Sequence, residues 1–292
     1  MPSLKVLSVG CLTLMFAAST AHAQESLVHD VATEPESPQS PNSMRGGAAA
    51  EVAFYSAELG SQTEGSVVFA VTGSVPLGAR TYLDGRIPFG IGVEDWEDSG
   101  PTTEPFFGNV QVGAHHVLRL VPDRLWLSLG GLFVLPTTTP AANRGLERLL
   151  TAPRGFWDSQ DFLVWPLGVK TSLQLEGKAG SYVSLRGVLD AILIPQLTER
   201  EGDLRFILQH AAEVFFGQEI GGGLRVQGVF VPTEKNDYAD TYRAQFALEP
   251  YAAYEGNLFR ARLGLMIPLT EPLGPPFVEG WGLRFSGGVV VD

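Results

Sequence analysis

Asn109-Val110-Gln111-Val112-Gly113-Ala114-His115-His116-Val117-Leu118-Arg119-Leu120 is the stretch that decides the fold. Its even positions are mostly apolar and its odd positions mostly polar or small. Successive side chains of a β-strand point to opposite faces, so Asn109, Gln111, His115 and Arg119 share one face. The same period sets Lys170, Ser172, Gln174 and Glu176 against Val169, Leu173 and Leu175, and Arg205, Gln209 and Glu213 against Leu204, Phe206, Leu208 and Val214.

Working outward, the alternation predicts strands near 49 to 59, 64 to 75, 79 to 91, 107 to 120, 124 to 136, 162 to 176, 181 to 194, 203 to 216, 220 to 232, 240 to 253, 257 to 269 and 281 to 291. That is about twelve, most of them about 11 to 15 residues long, enough for a tilted strand to cross a bilayer. Soluble strands are typically about half as long. The connections sort by length. Tight links at Pro76-Leu77-Gly78, Pro122-Asp123, Gly177-Lys178-Ala179-Gly180, Gly217-Gln218-Glu219 and Tyr254-Glu255-Gly256 alternate with longer ones at 92 to 106, 136 to 161, 195 to 202, 232 to 239 and 268 to 280. The gap at 60 to 64 belongs with the second group but is short.

A soluble sandwich shares the two-residue period but hides its apolar face, so strand length and loop sorting decide between the two. Aromatic residues near strand ends, among them Phe89, Trp165, Phe216, Trp281 and Phe285, fall on the apolar face and suit interfacial girdles. On these features the chain resembles the Gram-negative outer-membrane β-barrels of the porin-like kind, over essentially everything after about residue 48. The likeness is architectural, and no motif selects a subfamily. It implies an all-β fold: a single antiparallel transmembrane barrel of about twelve strands, with short periplasmic turns and longer extracellular loops. It also implies the cell outer membrane as location, and outer-membrane lipid, lipopolysaccharide and the barrel-assembly machinery as partners. The chain departs from such barrels at its end, Gly288-Val289-Val290-Val291-Asp292, where an aromatic residue is common.

The N-terminus has the organisation of an exported protein. Lys5 supplies a positive region, Val6 to Ala18 an apolar stretch, and Ala21-His22-Ala23 a small-residue cleavage site, so residues 1–23 read as a signal peptide. The stretch is shorter than the roughly 20 residues that span a bilayer. Cys11 loosely matches a lipid-attachment box, but Ser8 stands where a large apolar residue belongs. Residues 24–48, rich in Pro, Ser, Glu and Asn, show neither period and read as a disordered periplasmic lead, with entry into the barrel as a plug the alternative; the barrel is then 49–292.

A formal net charge of -12 excludes sequence-independent binding of nucleic acid, which needs clustered Lys and Arg. No later segment reaches about 18 uninterrupted apolar residues, which excludes a helical membrane protein. Mean hydropathy is nevertheless +0.10. An apolar outer belt around a polar lumen reconciles these values.

Taking the polar face as the lumen, its expected lining cations are Arg80, Arg86, Arg119, Lys170, Arg186, Arg205, Arg225, Arg243, Arg260, Arg262 and Arg284, against the acids Asp84, Glu176, Asp190, Glu213 and Glu249. Such a wall attracts anions and repels cations, which predicts a narrow, anion-leaning channel for small solutes. The alternative is a plugged or structural barrel in which the arginines pair with the acids, since twelve strands lie between filled barrels and wide porins. The 136–161 connection contains Leu146, Leu149 and Leu150 at helical spacing, and either folds into the pore or lies on the rim.

An outer-membrane lipase is the enzymatic alternative, and it needs Ser and His together on the outer face. Beyond the signal segment only His29, His115, His116 and His210 are present, without a Ser partner at a fixed offset, and neither G-x-S-x-G nor H-E-x-x-H occurs. No catalytic residues, metal ligands or cofactor are expected. The acidic loop residues Glu94, Asp95, Glu97, Asp98, Glu199, Glu201, Glu234, Asp237 and Asp240 lack EF-hand spacing and read as solvated charge, the alternative being divalent cations shared with lipopolysaccharide.

Overall fold

The computed structural model describes residues 44–59, 62–96, 100–138, 159–162, 167–195, 204–232, 244–270 and 279–291. Thirteen strands follow in chain order: β1 (Gly46–Leu59), β2 (Gln62–Pro76), β3 (Thr81–Trp96), β4 (Gly100–Phe107), β5 (Gln111–Val121), β6 (Leu125–Val134), β7 (Gly168–Lys178), β8 (Val183–Pro195), β9 (Leu204–Gly217), β10 (Ile220–Phe230), β11 (Ala244–Glu255), β12 (Phe259–Pro268) and β13 (Glu279–Val291). Between β6 and β7 lies the single turn α1 (Ser159–Phe162). No helix among the described residues is long and apolar enough to cross a membrane.

Sheet neighbours pair antiparallel, and β1 closes on β13 from Gly46↔Val291 to Glu58↔Glu279. Closure satisfies the backbone groups that an open edge would leave bare in hydrocarbon. β3 pairs with β5 through residues 81–86 and with β4 through 89–96. Between β4 and β5 the chain breaks step at 108–110, where the Gly108 amide donates to the Pro88 carbonyl at 2.9 Å. Counted as one interrupted strand, β4 and β5 complete a closed barrel of twelve.

Two expectations about connections are corrected. The link expected at 92 to 106 is mostly strand, because β3 continues to Trp96 and pairs with β4 from Phe89↔Phe107 to Trp96↔Gly100. Pro101, Pro105 and the neighbouring acids disguise this hairpin as loop. β1 also starts at Gly46, three residues before the expected boundary, because its first residues pair with the end of β13.

Alternate residues of each strand face out, and they form an apolar belt. Leu185 is 52 % exposed, Leu263 49 % and Phe285 50 %, with Val71, Leu129, Leu189 and Val226 exposed among them. A water-soluble monomer rarely exposes apolar patches beyond a few hundred Å². A barrel wall in lipid requires one. The belt is edged with aromatic rings, Tyr182, Phe216, Tyr254 and Phe259 toward the short turns and Phe133, Phe246 and Trp281 toward the other end. This is the surface of an outer-membrane β-barrel, and the outer membrane is where it resides.

Inward-facing residues form the interior. Ile192, Ile194, Ile207, Val229, Val231, Ala247 and Met266 form one buried apolar cluster with Ala53 and Tyr55, so the lumen wall along β8–β12 and β1 is dry toward the long-loop end. Toward the short-turn end, Met44 packs with Tyr82, Val117 and Trp126. Gly47 makes that inward turn possible, since a Cβ there would lie 2.1 Å from the Val289 carbonyl oxygen. Met44, two residues ahead of β1, thus lies inside the barrel mouth.

Candidate functional site

Between these apolar ends the lumen is polar, and strand register organises its charge. Across consecutive strands the pairing brings Glu176 beside Arg186, Arg186 beside Glu213, Glu213 beside Arg225, and Arg225 beside Glu249. Acid and base alternate from β7 to β11 on one level of the inner wall. Opposite charges in directly facing pairs support the sheet, and like charges there would oppose it.

The bonds run around this ladder. Arg186 donates to Glu176 at 3.0 Å and to Glu213 at 3.2 Å. Arg262 donates to Glu213 at 2.7 Å and to Glu249 at 3.1 Å, with its guanidinium 3.6 Å above the Tyr251 ring. Arg284 donates to Glu249 at 3.3 Å and to the Tyr55 hydroxyl at 3.3 Å, and lies 3.9 Å from Glu51. Elsewhere Lys170 holds Asp190 at 2.7 Å, and His115 meets Asp84 at 2.7 Å and stacks on Tyr82.

Glu176 and Glu249 sit behind their cations, while Glu51 is more exposed than Arg284. Glu249 is fully buried and Glu176 6 % exposed, whereas Arg186 is 24 % exposed. A guanidinium on a long stem can lie over a carboxylate and still reach water. Gly264 on β12 makes room for this arrangement, because a Cβ there would lie 2.4 Å from Glu249 Oε1. Gly264→Ala is expected to destabilise the barrel by about 1–3 kcal/mol through overpacking, read as a lower midpoint of heat-modifiable gel migration.

Among the sequence-predicted lining residues, Arg86, Arg119, Lys170, Arg186, Arg225, Arg260, Arg262 and Arg284 face inward. Arg119 is at the rim, 3.0 Å from Asp123 in the following turn. Arg80 is a correction: it is exposed in the turn before β3, where strand parity no longer governs direction. Arg243 and the side chain of Arg205 lie outside the described residues, as do Trp165, Leu146, Leu149, Leu150 and the side chains of the acidic loop residues.

The lumen also contains acids beyond the five expected ones. Glu51 on β1 and Glu255 on β11 face inward, and Asp161 arrives from α1. The expected excess of fixed cations on the wall is therefore corrected to near balance among the described residues. Asp161 is fully buried, accepts from Arg86 Nη2 at 2.9 Å and Nε at 3.2 Å, and accepts from the Gln111 amide. Its backbone carbonyl accepts from the Asn109 amide, and Phe162 packs on Val68 and Phe106. The C-terminal end of the long 136–161 connection thus docks inside the barrel against β2, β3 and β5, across from the apolar arc of β8–β12.

Three cavities lie in the lumen among the described residues. One of about 200 Å³ is bordered by Glu51, Lys170, Gln209, Arg225 and Arg284, one of about 220 Å³ runs toward Arg45 and Ser74, and another of about 220 Å³ lies against Arg186, Glu213 and Arg262. The first shares Arg86, Gln111 and Lys170 with the second and Arg225 with the third. They adjoin through these shared residues. Among the described residues no group of His, Cys, Asp and Glu is placed to hold a metal ion. On the outer face, the Thr81 hydroxyl and His116 Nδ1 lie 2.8 Å apart, while His210 packs edge-on to Phe246.

No protein-family model and no curated sequence matches this chain. Solved structures do resemble it. An outer membrane channel from Pseudomonas putida F1 aligns with a TM-score of 0.56 at 14 % identity, over 88 % of this chain and 99 % of that one. The NanC porin aligns with a TM-score of 0.53 at 8 % identity, over 84 % and 100 %. At these identities the likeness is one of fold: the chain has the architecture of outer-membrane channel barrels.

Proposed function

We propose that this protein is an outer-membrane channel for small solutes, narrow and favouring anions. The observation that carries the reading is the layering of lumen charge: in the pairs of Arg186 with Glu176 and of Arg262 and Arg284 with Glu249, the guanidinium is the more exposed partner and the carboxylate lies buried behind it. A permeating ion therefore meets these guanidinium groups before the carboxylates behind them, while Glu51, Asp190 and Glu213 also border the cavities. In a confined space with low-dielectric walls, the nearest charges dominate the field. The channel and porin that share the fold support a transport role over a catalytic one. Arg186, Arg225, Arg260, Arg262, Arg284 and Lys170 form the proposed lining.

A plugged barrel is the second reading, favoured by the docking of Asp161 and Phe162 opposite the dry apolar arc. Swelling of proteoliposomes in isosmotic solute separates the two. Swelling in small carboxylates that outpaces swelling in similarly sized cations supports the channel; none from a barrel with folded gel mobility supports the plug. Hydrolysis of phospholipid by the same sample would instead make it an enzyme.

A further inference from the structure

We infer that Arg225 is a discrete anion-binding site at the waist of the lumen, suited to one small carboxylate. Three of the four arginines in this part of the wall are consumed by the acids: Arg186 by Glu176 and Glu213, Arg262 by Glu213 and Glu249, and Arg284 by Glu249. Arg225 lies between Glu213 and Glu249 in register, yet both carboxylates are turned to other guanidinium groups. Among the described residues, Arg225 has no ion pair or hydrogen-bond partner on its side chain, and its Nε is buried without an acceptor. Arg225 is thus the one of these four guanidinium groups that no carboxylate holds within ion-pair distance among the described residues.

The position of the unpaired guanidinium makes it a site. Arg225 borders two adjoining cavities, of about 200 and 220 Å³, so an anion there is reached from both sides of the wall's charged level. An unpaired guanidinium removed from bulk water is unfavourable, and an incoming carboxylate supplies the missing acceptors in the fork geometry that guanidinium prefers. Lys170, in the same cavity, adds long-range attraction while remaining bonded to Asp190. The cavities are smaller than the 300–1,000 Å³ or so typical of pockets for drug-sized ligands. The ligand class is accordingly a short organic monocarboxylate. The residues that would select it are Arg225 for the charge and Gln227 and Val188 for the walls.

This site deepens the channel reading and rests on it for its biological meaning, so its test is one of equilibrium binding with no current involved. Trifluoroacetate is titrated into the full chain folded in detergent and followed by fluorine NMR. Saturable broadening of the resonance is expected with the native protein and with Arg124→Gln, an exposed turn variant. Arg225→Gln should weaken binding at least ten-fold, and Arg225→Lys, which keeps the charge but not the fork, should weaken it by a smaller factor. Absence of saturable broadening in the native protein, or unchanged affinity in Arg225→Gln, overturns the site. If Arg225→Gln does not show folded gel mobility, Arg225→Lys decides alone, and unchanged affinity there is equally fatal. Binding by a barrel that passes no current would sink the channel and keep the site; current without Arg225-dependent binding would do the opposite.

Discussion

Asp161→Ala raises single-channel conductance several-fold and makes the channel more anion-selective. Asp161 accepts from Arg86 twice and from Gln111, and these bonds tether α1 inside the lumen. Charge-assisted bonds of this kind are worth about 1.5–3 kcal/mol each, so truncation loosens the docked state by at least about 3 kcal/mol. That shifts a docked/undocked equilibrium by roughly a hundred-fold. The same change leaves Arg86 without its buried carboxylate, which adds a cation to the wall just as the lumen widens. The two effects must appear together in planar-bilayer recordings. Lower conductance, or a shift toward cations, would mean that α1 braces the pore instead of obstructing it.

Glu249→Gln lowers the stability of the barrel by about 3 kcal/mol, the range for breaking a buried charge pair from one side. Its carboxylate is fully buried and accepts from both Arg262 and Arg284. Arg225→Gln makes the contrasting case on the neighbouring strand. It removes a guanidinium with no partner and is expected to leave stability unchanged or slightly higher, because the uncompensated charge is the one lost. Urea unfolding followed by tryptophan fluorescence in lipid vesicles reads both. Equal losses in the two variants would contradict the assignment of Arg225 as an unpaired cation.

The barrel itself was legible because the two-residue period is visible along each strand and survives small errors of boundary. Leu185, Leu189 and Leu193 could be assigned to lipid, and Arg186 and Asp190 to the interior, with no knowledge of their neighbours. What the period cannot supply is register. The alternating ladder from Glu176 to Glu249 depends on how five strands are staggered, and stagger is set by turn length and by irregularities such as the shift between Arg119 and Val121. Charge counted strand by strand therefore overestimated the excess of cations. Glu51 lies in the alanine-rich run of β1 and Glu255 at the last residue of β11, where alternation is faint. Asp161 belongs to a connection and reaches the wall from above, so no strand pattern could reveal it. Arg80 shows the converse, since parity was extended into a turn where backbone direction changes.

Reversal potential across a planar bilayer under a potassium chloride gradient, with protein shown to be folded by heat-modifiable migration, tests the central claim most directly. Discrete conductance steps with a reversal potential of the sign set by chloride are predicted, shrinking toward zero selectivity as salt rises and screens the guanidinium layer. A reversal potential set by potassium, or silence from the folded barrel, would contradict it.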